Sequence, residues 1–201
     1  MLKISRTQQD LKNDLDLFIW DFKIGDNILY NLNIIFALVD DYNNEKKLYK
    51  KPISIMAVSV VEAIMVDFIY RLYSGTNHFP VILRPKEDEI KSKLKGETIR
   101  KKITDPEGKE HEFSVLKNFN FTPMIEVYEE LELLGSNEGI YKFLIEMAYF
   151  RNRVHINNYF GNFEKDEIVT FSSERVQKTL DVMVWFFDYF KKYYSRPWKK
   201  V

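Results

Sequence analysis

The sequence predicts an all-α protein: a bundle of about five helices with one irregular insertion, which could carry a small β-hairpin, between the second and third helices. Three observations predict this. Apolar residues recur at helical spacing over both ends of the chain. Residues 53–73, ISIMAVSVVEAIMVDFIYRLY, are apolar nearly all round, as in a central helix surrounded by others. The periodicity then collapses between about 74 and 121. A chain of 201 residues that is 45% hydrophobic can bury one sizeable core, so a single domain spanning 1–201 is expected, with the insertion at about 74–121.

The first helical segment runs from about Thr7 to Asp40, with Leu11, Leu15, Phe18, Ile19 and Phe22 followed by Ile28, Leu32, Ile35 and Phe36. Gly25 is the expected kink or break, because glycine inside a helix costs about 1 kcal/mol. A polar connection, DDYNNEKK, leads to Pro52, expected at the first helical position, where its missing N–H is no loss. In the insertion, TIRKKIT and KEHEFSVL flank the turn tetrad DPEG, which is a hairpin pattern. Thr122 and Pro123 resemble a cap and first position for a third helix, and Gly135 its stop. A fourth helix is expected from about Glu138 to Asn158. The last starts near Ser172 or Ser173 and carries Val176, Leu180, Val184, Phe187 and Phe190 on one face.

Composition excludes several classes of function. Thirty basic residues balance thirty acidic ones, so overall charge favours neither nucleic acid nor an acidic partner. With no cysteine there are no disulfides and no thiolate chemistry. His78, His111 and His155 form no pair at metal-ligand spacing, and no metal or cofactor is expected. Neither a phosphate-binding glycine loop nor a G-x-S-x-G elbow is present. The opening MLKISRTQQDLKNDLDLF lacks the apolar run of a signal peptide. Glu62 and Asp67 interrupt the most apolar segment, so a cytoplasmic chain with no membrane association is expected.

The chemistry concentrates in YFRNRVHINNYFG, residues 149–161. Advancing about 100° per residue along the fourth helix places Arg151, His155 and Asn158 within the stripe of Phe143, Leu144, Met147 and Phe150. Asn152 borders it, and Arg153 falls on the opposite, solvated face. Arginine and histidine in an apolar stripe need partners. Glu62, centred on the arc of Ile55, Val58, Val66 and Ile69, offers one to Arg151 or to His155. Basic side chains near a helix C-terminus also meet the helix dipole favourably, which would account for the pair without chemistry.

At these residues the chain resembles the HEPN superfamily of helical domains, many of whose bacterial members are metal-independent ribonucleases of toxin–antitoxin or phage-defence systems. The shared features are Arg151, the polar Asn152 and His155 late in a helix, a long first helix, an apolar second helix with an acid, and a final helix after the motif. The family motif usually has a longer gap than the three residues between Arg151 and His155. The resemblance implies His155 as general acid or base, Arg151 stabilising phosphoryl oxygens and Asn152 positioning the phosphate or the histidine. Glu62 and Asn158 would support them. It further implies a homodimer whose motif helices form one cleft, RNA as substrate, and an antitoxin or other protein as partner. The alternative is a non-catalytic helical module that binds a nucleotide, RNA or a protein. The C-terminal KKYYSRPWKK has five basic residues, no acid, two tyrosines and a tryptophan. Such residues can follow phosphates and stack on bases, or form a solubilising tail on a packed helix.

Overall fold

The computed structural model describes residues 1–45, 48–74, 79–104, 110–116, 120–152 and 167–196. They form an α-helical bundle with one small hairpin. In chain order the elements are α1 (Gln8–Phe18), α2 (Phe22–Glu45), α3 (Lys50–Ser74), a 3-10 turn (Val81–Lys86), α4 (Glu87–Gly96), β1 (Thr98–Thr104), β2 (Glu110–Leu116), α5 (Phe121–Glu130), α6 (Glu138–Asn152), the short α7 (Glu167–Thr170) and α8 (Ser173–Tyr194). The helical bundle is thus as expected, although the described residues form seven helices of ten residues or more in place of the five.

One extra helix comes from the first segment, which breaks at 19–21 rather than at Gly25. Gly25 lies inside α2, where a Cβ would meet Ile19 Cγ2 at 3.4 Å. The break is made by a tertiary contact. The Asp67 carboxylate of α3 accepts the Trp20 N–H at 3.0 Å and the Asp21 N–H at 2.8 Å, so these amides bond across the bundle. The second extra helix, α4, buries only Ile90 and Leu94, too few apolar residues for periodicity to reveal it.

Helix starts follow cap chemistry. At α1, Thr7 Oγ1 accepts the Asp10 N–H at 3.1 Å while the Asp10 carboxylate accepts the Thr7 N–H at 3.3 Å, a reciprocal capping box. Thr7→Ala should cost about 1 kcal/mol and lower a thermal melt by roughly 2–4 °C. Ser172 caps α8 as expected. Asn120, not Thr122, is the cap residue of α5, which puts Pro123 at the third position. Pro52 is likewise third in α3, which begins at Lys50. Both shifts are tolerated because the first four N–H groups of a helix have no partner within it. After α5 the chain turns through Glu132 (φ 50°) and Gly135 (φ 77°), the latter a conformation suited to glycine.

The hairpin expected in the insertion is present. β1 and β2 pair antiparallel from Thr98–Leu116 to Thr104–Glu110, and the DPEG turn lies outside the described residues. Its basic strand is matched by its acidic one, with Lys102 3.3 Å from Glu110 and Arg100 3.7 Å from Glu112.

The core lies around α3, which packs on α2, α6 and α8. Phe68 of α3 stacks on Tyr194 (centroids 4.2 Å apart) and meets Phe190 edge-on at 5.2 Å. The buried Tyr128 hydroxyl donates to the Met65 carbonyl at 2.9 Å. By length and composition α3 could cross a membrane, but 61% of its most apolar window is buried within the protein, as for a central core helix. A second ionic tie secures the N-terminus. Buried Asp14 pairs with Arg6 at 2.6 Å and Lys191 at 2.9 Å, joining α1 to α8.

Candidate functional site

Two helices bring the candidate residues together. α6 presents Phe143, Leu144, Met147, Ala148 and Phe150 to the core and ends its described part at Asn152. α3 runs against it. At their contact the Arg151 Nε stands 3.3 Å from Glu62 Oε2, so Glu62 meets one of the two partners that its sequence context suggested.

The environment differs from that expected. The Arg151 side chain is 44% exposed and Glu62 17% exposed, so the pair sits at the rim of the bundle rather than in a closed core. The reason lies in α3. On the arc centred on Glu62, Val58 and Ile69 are buried but Ile55, Val66 and Tyr73 are only partly covered, whereas Ala57, Val60, Val61, Ile64 and Phe68 on other sides are all buried. Because α3 is apolar nearly all round, its sequence does not reveal which side faces outward.

Partial burial still affects the acid. Desolvation raises the Glu62 carboxyl above its ordinary range, and the Arg151 charge offsets part of that rise. A raised carboxyl pKa means that this group's stability contribution is fullest at low pH and is lost as pH rises. Arg151 approaches through Nε, one of the five donors of a planar fork. The terminal edge of such a fork is the part that fits two phosphoryl oxygens.

A pair at the rim should tolerate loss of its arginine. Arg151→Ala is expected to cost no more than about 1 kcal/mol, or roughly 2–4 °C in a thermal melt. A loss several times larger would mean that Arg151 chiefly holds the fold.

Asn152 follows Arg151 as the last described residue of α6 and is half-buried. His155 and Asn158 lie outside the described residues, as does the expected end of the helix at 158. Tyr149 is 39% exposed and lies about 160° around α6 from Arg151. Behind it, Phe150 meets Phe171 (centroids 6.1 Å apart), and the Lys51 ammonium lies 5.8 Å from the Phe171 ring. Among the described residues, no three His, Asp or Glu side chains converge as a metal site would need.

Sequence reasoning missed a second polar cluster, built on Asp67 and Arg71. Asp67 was legible only as an interruption of an apolar run. It is buried, and burial pushes its carboxyl up to about 6 against the downward pull of the Asp21 and Trp20 N–H groups. Arg71, one turn on, donates from Nη1 to the Tyr194 carbonyl at 2.5 Å and covers the Trp20 ring at 4.7 Å. Burial lowers its guanidinium to about 10, with the nearby Asp67 charge opposing that shift. The signal available in the sequence was two opposite charges four residues apart in an otherwise apolar helix.

Comparison with known proteins identifies no relative: no protein-family model, no curated protein and no solved structure matches the chain.

Proposed function

We propose that the protein is a metal-independent endoribonuclease of the HEPN type, acting as a homodimer in the cytoplasm in a toxin–antitoxin or phage-defence role. The observation that carries this reading is the Glu62–Arg151 contact at 3.3 Å, which leaves the arginine of the R-N-x-x-H string 44% exposed. Glu62 acts here as a positioning residue: its carboxylate holds Nε, and the rest of the fork is directed at substrate.

The reaction uses the substrate's own 2′-hydroxyl. His155, whose ordinary pKa is about 6.5, takes the proton as O2′ forms a bond to the adjacent phosphorus. The bond from phosphorus to the 5′ oxygen breaks, and that oxygen takes up a proton, from an imidazolium or from water. The products are a 2′,3′-cyclic phosphate and a 5′-hydroxyl. Arg151 stabilises the charge gathering on the non-bridging oxygens, Asn152 positions the phosphate or the imidazole, and Asn158 supports them.

The homodimer is supported by apolar side chains near the end of α6. Ile168 is 76% exposed and Val169 46%, apolar side chains of α7 that a second copy would cover. An antitoxin or another protein is the further partner this reading implies.

The test is cleavage of single-stranded RNA in EDTA, with His155→Ala and Arg151→Ala as controls. The alternative, a non-catalytic module that binds a nucleotide, RNA or a protein, is favoured by one feature: Glu62 already neutralises Arg151. It predicts binding without cleavage.

A further inference from the structure

Lys178, Val182, Trp185, Tyr189, Lys192 and Tyr193 fall within an arc of about 100° on α8, since each residue advances the helix by about 100°. Val182, Trp185, Tyr189 and Tyr193 are half-buried, and Lys178 and Lys192 are exposed. The aromatic rings form a ladder, with centroids 4.8 Å apart from Trp185 to Tyr189 and 4.7 Å from Tyr189 to Tyr193. A lysine stands over a ring at each end. Lys178 is 4.0 Å from the Phe143 ring of α6, and Lys192 is 4.9 Å from the Tyr193 ring.

The ladder lies along the side of α6 that carries Phe143 and Phe150, about 80–100° around that helix from Arg151. Phe150 meets Phe171, Phe143 meets Lys178, and Gly135 lies against the Tyr189 hydroxyl. These pairings order α6 antiparallel to α8, so their seam leads from the Arg151 end of α6 towards the C-terminal end of α8. Of the acids near this seam, Glu138 pairs with Lys142 at 2.9 Å and Asp181 accepts from Gln177 at 2.8 Å, while the exposed Glu174 shares the arc of the ladder at the start of α8. From Lys178 to Tyr193 the track is about 22 Å long at about 1.5 Å per residue, comparable to six stacked nucleotides at about 3.4 Å each.

We infer that this α6–α8 seam is a binding track for single-stranded RNA. Half-exposed aromatics stack on unpaired bases of any sequence, while flanking lysines follow the backbone. Paired bases hide their faces, so a duplex lacks what the ladder recognises. The track deepens the ribonuclease reading and rests on it for the identity of the strand.

The experiment is fluorescence anisotropy with a short labelled 2′-O-methyl RNA strand, which cannot be cleaved through its 2′ oxygen, alone and in a duplex. The single strand is expected to bind more tightly than the duplex. Trp185→Leu and Tyr193→Leu should each weaken that binding about 5- to 150-fold, while Trp185→Phe restores most of it. The exposed pair Lys178→Gln and Lys192→Gln threatens the fold least. Together they should reduce the slope of log affinity against log salt by about 1.4. Duplex bound as tightly as single strand, leucine variants within about 2-fold of the parent, or an unchanged salt slope would overturn the track. Track-dependent binding by a protein that never cleaves RNA would reject the ribonuclease reading alone. Cleavage by a protein whose leucine and glutamine variants bind normally would reject the track alone.

Discussion

Asp67→Ala is expected to destabilise the protein by about 3–5 kcal/mol, lowering the thermal midpoint by roughly 6–20 °C. The Asp67 carboxylate accepts the Trp20 and Asp21 N–H groups where α1 ends and α2 begins, and it faces the buried Arg71. Alanine leaves both amides and the guanidinium charge without that acceptor. Asp67→Asn keeps an oxygen in place and should cost far less. The two variants separate hydrogen bonding from charge, and pH separates them further. Burial raises the native carboxyl to about 6 from an ordinary 3.8, so the folded state binds this proton more tightly than the unfolded chain does. The stability contribution is therefore fullest below about pH 4 and lost as pH rises through about 6. Relative to Asp67→Asn, the parent should gain about 2 kcal/mol as pH falls from 7 to 4. Denaturant melts at several pH values should show the gap between parent and Asp67→Asn widening as pH falls, and a difference independent of pH would refute it.

His155→Ala and Arg151→Ala are expected to leave a folded protein whose RNA cleavage is reduced about 100-fold or more. General acid–base catalysis is worth about 10²–10⁴-fold, and one preorganised charge stabiliser about 10²–10³-fold. The two losses should not multiply, because residues acting on one transition state are not additive. Arg151→Lys should restore little, since an ammonium cannot reproduce a fork held by one nitrogen and offered by the others. Glu62→Gln should sit between parent and Arg151→Ala, and its loss should fall on the rate constant more than on RNA affinity. On the proposed reading Glu62 would position the arginine without itself touching the phosphate.

How much of this was legible differs by element. α8 was readable because Ser172 caps it and its apolar residues hold helical spacing to Phe190. The α1–α2 break was not, because apolar spacing runs on through Ile19 and Phe22 while the contact that breaks the helix comes from Asp67, 47 residues beyond Trp20. The Glu62–Arg151 contact was foreseeable as two charges on apolar helices needing each other. Its exposure was not, since the cover over each side of α3 is set by tertiary packing. The aromatic ladder was hidden for a similar reason. Trp185 and Tyr189 lie off the apolar face that spacing picks out on α8, and only the packed bundle shows their rings half-covered and in line with Tyr193.

The most direct test of the ribonuclease reading is the chemistry of the RNA ends produced in EDTA. Purified protein incubated with single-stranded RNA should generate 2′,3′-cyclic phosphate and 5′-hydroxyl ends, and His155→Ala and Arg151→Ala, both folded by thermal melt, should generate neither. Intact RNA after incubation with the parent protein, or the same ends produced undiminished by both variants, would contradict it.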